Sequence, residues 1–266
     1  MTLLFWWLFY KLYTSLQMKE NEIDRSKLKC FNDINMFNNS FPGFRRRNTP
    51  IKNYFVVQRN PNNTESQFQR PSIFSFLKYR CVRDSSTNLR GYRVNFQFFF
   101  GDVPIFHAKV KPHSNTNYIG ISEGTSSHIK PPHIATILHA NSFCDFSFRN
   151  GDSFGKEVFS VQFRNDETIK SKPRRLIVHF FGLDDDIPQT LSNEEPSLDD
   201  EGRWIIDLHS SQAIGSIKNA RMIDEKRHPY IFIRKIDKDV LEIEAAPTFE
   251  EVWLFAMTIC DFLCKL

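Results

Sequence analysis

Residues 247–266 read PTFEEVWLFAMTICDFLCKL, and their pattern decides the fold. Pro247 closes the preceding segment, and Thr248 with Glu251 has the spacing of a capping box, so a helix is predicted from here. The residues that follow are apolar on every face rather than along one stripe. Such a helix is either enclosed by protein or spans a bilayer. The run falls short of the ~20 residues a spanning helix needs, and Asp261 interrupts it, so enclosure is the expected state. The chain must therefore build a wall around this segment.

The wall is legible upstream. From residue 72 onward, short runs rich in Phe, Ile, Val and Tyr recur at 73–82, 92–100, 105–110, 118–121, 134–139, 143–148, 158–163, 176–181, 204–208, 230–236 and 240–245. Several alternate with period two, and polar turn residues separate them without an intervening helical pattern. That reads as an all-β sandwich or barrel. A barrel of many strands leaves a lumen that must be filled. The consistent architecture is mostly β: a closed antiparallel β-barrel around a buried hydrophobic C-terminal helix. The acidic stretch 184–201 is expected to be a solvated excursion.

Residues 1–71 read as an N-terminal extension, distinct from a barrel domain over 72–266. The extension opens with LLFWWLFY at 3–10, which has neither the basic start nor the small-residue cleavage pattern of a secretory signal. An interfacial anchor and a packed terminal helix both fit it. The polar, Asn-rich remainder to residue 70 reads as linker.

With 41% hydrophobic and 25% charged residues in 266, the composition excludes disordered and multi-span membrane chains. Five cysteines without a CxxC spacing indicate neither a disulfide framework nor a cysteine zinc site, and a reducing compartment is the simpler expectation. Lys and Arg outnumber Asp and Glu by 11 to 5 over 1–70 and by 15 to 8 over 71–180, whereas 181–266 holds 9 against 18. A molecule with a positive first two-thirds favours an anionic partner, whether lipid headgroup, phosphate or nucleic acid.

Five short stretches, in order, resemble the tubby family: Tyr79-Arg80-Cys81-Val82-Arg83-Asp84, Thr116-Asn117-Tyr118-Ile119-Gly120-Ile121-Ser122, Lys172-Pro173-Arg174-Arg175, Trp204 to His209 with Ser216-Ile217-Lys218-Asn219, and Leu254 to Phe262 followed by Lys265-Leu266. Ser210-Ser211 stands where the family has Gly-Arg, which makes this a divergent member whose fold transfers more directly than its ligand. The resemblance implies about twelve strands around the helix and no enzymatic activity. It further implies a phosphoinositide ligand of the phosphatidylinositol 4,5-bisphosphate type. Matched residue by residue, the headgroup contacts fall on Lys109, Lys111, Asn95 and His139, the last replacing a family arginine and neutral at pH 7 unless perturbed.

The expected role is that of a monomeric adaptor or regulator tethered to membranes, in membrane or ciliary trafficking or signalling. It would be cytoplasmic and peripheral at the plasma membrane, with the nucleus as a second location, and would carry protein cargo. A barrel serving protein interactions alone, or a nucleic-acid-binding regulator, are the alternatives.

Lys109 and Lys111, at i and i+2, face the same way on a strand, which suits a phosphate clamp and equally a solvated face. Arg83 is expected to pair with Asp84, and Arg174-Arg175 to be solvated. Gly120-Ile121-Ser122-Glu123-Gly124 has the form of G-x-S-x-G, yet the Pro131-Pro132 that follows cannot open the helix a nucleophile elbow needs. His107, His113, His128, His133 and His139 lack a metal-ligand spacing. Neither a metal nor a cofactor is expected.

Overall fold

The computed structural model describes residues 75–264 except 89–90, 112–115, 126–131, 141, 166–172 and 184–185. The expected N-terminal extension, with its apolar start, lies outside the described residues.

Twelve antiparallel strands close into a barrel. In chain order the strands are β1 (Leu77–Asn88), β2 (Gly91–Phe100), β3 (Val103–Val110), β4 (Tyr118–Glu123), β5 (Ala135–His139), β6 (Asp145–Asn150), β7 (Glu157–Arg164), β8 (Arg175–Phe180), β9 (Thr190–Asn193), β10 (Ser197–Leu198), β11 (Trp204–Ile205), β12 (Ala220–Ile223), β13 (Pro229–Asp237) and β14 (Val240–Ala245), and helix α1 (Glu251–Leu263) follows. Each strand from β1 to β9 pairs with the next, β9 pairs with β12, and β14 returns to β1. Strands β10 and β11 form a separate two-stranded ribbon.

Period-two alternation sends one side chain of each pair inward. Val94, Phe96 and Phe98 of β2 are buried, as are Phe159, Val161 and Phe163 of β7. Helix α1 fills the lumen they line, buried from Trp253 to Leu263. Phe255 stacks on Phe98 with ring centroids 5.2 Å apart, Phe262 meets Phe96 at 5.7 Å, and Trp253 meets Phe180 at 6.1 Å. Each fully buried aromatic side chain contributes about 1.5–3 kcal/mol relative to exposure, so wall and plug stabilise one another.

The helix starts differently from its expected cap. Its N-cap is Glu250, with no side-chain cap bond, and Thr248 Oγ1 is buried without a partner. Glu251 is then the first helical residue, too early to reach back as a capping box, and accepts a hydrogen bond from Tyr79 Oη at 3.2 Å instead. At the other end the helix has no basic residue in its last turn. The barrel supplies the cations. Arg174, buried just before β8, pairs with the Asp261 carboxylate and donates to the carbonyls of Asp261 and Cys264, each at 3.2 Å. Lys218 Nζ donates to the Asp261 carbonyl at 2.6 Å. Positive groups on the last carbonyls satisfy orphan acceptors and complement the helix dipole.

Four further sequence expectations are corrected. Arg174 is not solvated; only Arg175, its neighbour of opposite parity, is exposed. Arg83 pairs with Asp239 of the β13–β14 turn, Nε and Nη2 lying 2.8 and 2.5 Å from Oδ1, because Asp84 points to the other face of β1. The acidic stretch is not wholly a solvated excursion: β9 lies within it as a barrel strand, with Leu191 fully buried. Residues 204–208, expected as a strand, pair only through Trp204 and Ile205, outside the barrel. There Trp204, Ile206 and Leu208 form a small second core. Leu208 contributes its carbonyl to Arg234 Nε at 2.8 Å, on the outward side of β13, which explains why that strand is buried on both faces.

Candidate anion-binding site

The end of the barrel at which α1 terminates is also where β1, β3, β5 and β7 end and β2, β4, β6 and β8 begin, as the antiparallel order requires. On its outer wall β1, β2 and β3 form a polar hollow of about 360 Å³. Register assembles it. Asn95 lies opposite Asp84 on one side and Lys109 on the other. Arg93 lies opposite Ser86, and Gln97 opposite His107. With Val94, Phe96, Ala108 and Val110 turned into the core, parity turns Arg93, Asn95, Gln97, His107 and Lys109 outward.

Lys109 is exposed at the mouth, while His107 is only 7% exposed. His107 Nδ1 lies 3.2 Å from the Gly124 carbonyl. A carbonyl only accepts, so Nδ1 is the donor in that bond and Nε2 is left for a second partner. Arg93 Nε is buried without a hydrogen-bond partner. The hollow thus gathers a lysine ammonium, a guanidinium, an imidazole and two amide side chains, with Asp84 as its acidic member. Such donors bind phosphate oxygens by charge-assisted hydrogen bonds.

Of the four residues singled out from the sequence, Asn95 and Lys109 meet here as direct cross-strand neighbours. Lys111 is exposed just past the end of β3, at the same end of the barrel but outside the lining of the hollow. His139 ends β5 at that end too, yet its ring turns to the core side, stacked on Phe143 with centroids 4.4 Å apart. Its Nδ1 lies 3.1 Å from the Ala140 carbonyl. Arg93 and His107 are the contributors that sequence reading missed. The parity they share with Asn95 and Lys109 was available, but the β2–β3 register was not.

Gly120 to Gly124 lies on β4 and just beyond it, with Ser122 inside the strand rather than at a strand-to-helix turn. Ser122 is 3% exposed, and its Oγ lies 3.2 Å from His133 Nδ1. The His133 ring sits over Gly120, where a Cβ would occupy the same space. Among the described residues no cluster of three metal-ligating side chains occurs, and no helix is long and apolar enough to cross a membrane. Comparison with protein-family models and with curated proteins finds no match to this chain.

Proposed function

We propose that the protein is a non-enzymatic phosphoinositide-binding adaptor or regulator, which reaches a membrane surface with the barrel end that carries Lys109. The observation that supports this most directly is the pairing of Asn95 with Lys109 in one polar hollow, beside Arg93 and His107. The barrel with an enclosed C-terminal helix is the architecture that the tubby resemblance implies, and it is consistent with this reading. A bisphosphorylated inositol offers several negative charges to the convergent donors, and the remaining anionic lipid adds about 1 kcal/mol for each basic residue near the surface.

The test is co-sedimentation of the full chain with phosphatidylcholine vesicles, with and without phosphatidylinositol 4,5-bisphosphate. Binding is expected to need the phosphoinositide and to fall with salt. Arg93→Ala together with Lys109→Ala should weaken it by about 2 kcal/mol, roughly 30-fold. Equal binding by wild type and double variant would end this assignment, and tighter retention on duplex DNA than on vesicles at one salt concentration would transfer it to nucleic acid.

A further inference from the structure

At the same end of the barrel, on the wall formed by β7, β8 and β9, lies a second hollow, of about 430 Å³, and we propose that it is a separate site for a phosphate monoester. This size falls within the range of small-ligand pockets, ~300–1,000 Å³. The site stands on its own residues and does not rest on the reading given to the hollow at Lys109.

Three arginines line it: Arg164, Arg175 and Arg227. Arg164 and Arg175 are direct cross-strand partners. Phe163 and Leu176 beside them are buried, so parity sends both arginines outward. Like charges placed directly opposite destabilise a sheet, and such an arrangement calls for an anion between or beside them. The protein supplies only part of that compensation. Asp145 holds Arg164 at 2.7 Å, and Glu194 holds Arg227 at 2.9 Å while also holding Arg221 at 3.2 Å. Arg175 is exposed and forms no ion pair among the described residues. Among the described residues of the lining Glu195 is the acidic member, beside three guanidiniums of which two are ion-paired from outside it; Asn165 and Ser192 add polar groups.

The floor of the hollow is fixed. The Asn193 side chain accepts a hydrogen bond from Leu176 N at 2.8 Å and donates to the Arg174 carbonyl at 3.4 Å, clamping the start of β8 to the end of β9. Arg175 therefore projects from a braced strand end. Guanidinium forks match phosphate oxygens bidentately, and a phosphate monoester near neutral pH carries between one and two negative charges. With Arg164 and Arg227 each sharing a carboxylate and Arg175 outside any ion pair among the described residues, such a group adds the anionic charge that the two pairs do not bring to Arg175. The same group could arrive on a lipid headgroup or on a soluble phosphate ester.

Calorimetric titration of the full chain with inositol 1,4,5-trisphosphate separates the two hollows. Two binding events are expected. Arg175→Ala with Arg227→Ala should remove one, or weaken it at least about tenfold, and leave the other. Arg93→Ala with Lys109→Ala should do the complementary thing. Arg175→Gln alone, which removes the charge but keeps the aliphatic stem and a polar end, should weaken the second event without altering the melting temperature. A titration unchanged by Arg175→Ala with Arg227→Ala overturns the second site, whatever happens at Lys109. Loss of the only event in that variant sustains it while removing the first. Vesicles carrying phosphatidylinositol 4,5-bisphosphate then identify the source. Weaker co-sedimentation of the Arg175→Ala, Arg227→Ala variant assigns a lipid headgroup, and unchanged co-sedimentation beside a lost soluble event assigns a free phosphate ester.

Discussion

Replacing Arg174 by Met takes the guanidinium from Asp261, a residue 1% exposed whose Oδ2 already lacks a hydrogen-bond partner. It also frees the Cys264 carbonyl that Arg174 holds at 3.2 Å and leaves the Asp261 carbonyl to Lys218 alone. Removing one partner of a buried ion pair costs roughly 3–5 kcal/mol, because the other charge stays buried without compensation. Lys218, set against the same turn, still offsets part of the carboxylate charge, which places Arg174→Met near 3 kcal/mol. Asp261→Leu leaves the guanidinium facing only carbonyls and should cost a similar amount. The double variant buries neither charge and keeps an apolar helix end, so it should lose far less than the sum, with a coupling energy of about 2–3 kcal/mol. Urea unfolding followed by circular dichroism reads this out. With a slope of about 1–3 kcal/mol per molar urea, each single variant should shift the midpoint by roughly 1–3 M, and the double variant should recover much of the shift. If the double variant is as unstable as the two single losses added together, Arg174 and Asp261 do not act as a pair, and the account of the plug's end is wrong.

Two further outcomes follow from the same region and from β4. Burial pushes the Lys218 ammonium down to about 8, outweighing the pull of Asp261, from an ordinary value of 10.5. Between pH 8 and 10 the unfolded chain keeps a proton that the folded chain sheds, so stability should rise with pH over that window, at up to ~1.4 kcal/mol per pH unit. Above pH 10 Tyr79, pushed up to about 12 chiefly by burial, acts in the opposite sense; the measurement is therefore the difference between wild type and Lys218→Met at pH 8 to 10, and a constant difference would discount the shift. Gly120→Ala should displace the His133 ring and break its contact with Ser122, costing about 1–3 kcal/mol by overpacking, and adding His133→Ala should relieve most of that loss. A double variant as unstable as Gly120→Ala alone would rule out the ring as the obstacle.

The barrel and its plug were readable because both are written in local periodicity. An apolar segment without a polar face has few places to go, and strands alternating around it supply one. The features that escaped are those set between strands distant in sequence. Arg174 sits 87 residues from Asp261, and Asp261 looked like an interruption in a greasy helix rather than the anchor of its last turn. β9 escaped because its four residues bury one apolar side chain, Leu191, in an acidic surrounding. The capping box failed by position: Thr248 and Glu251 have the right spacing, but the backbone turns helical only after Glu250. Asn95 and Lys109 were named through family resemblance alone. Their adjacency depends on the β2–β3 register, which shifts between Phe98 and Phe99 and cannot be counted from either strand by itself.

Strand parity also decides what the basic residues of this end can do. Lys172-Pro173-Arg174-Arg175 reads as one basic cluster, but consecutive positions face opposite sides of a sheet wall. Arg174 points into the barrel, where its charge is consumed in holding the helix terminus. Arg175 points out, opposite Arg164 and in no ion pair among the described residues. On β1, Arg83 turns its guanidinium over the Phe262 ring at 4.9 Å and is tied to Asp239, while the outward residues around it belong to the hollow of Lys109. The positive excess of the middle section is thus divided between two tasks, and only the outward share is open to an anion. Neutralising inward cations should lower stability and leave affinity per folded molecule unchanged, whereas neutralising Lys109 or Arg175 should do the reverse. That separation distinguishes a barrel end built to receive phosphate from one that is merely basic.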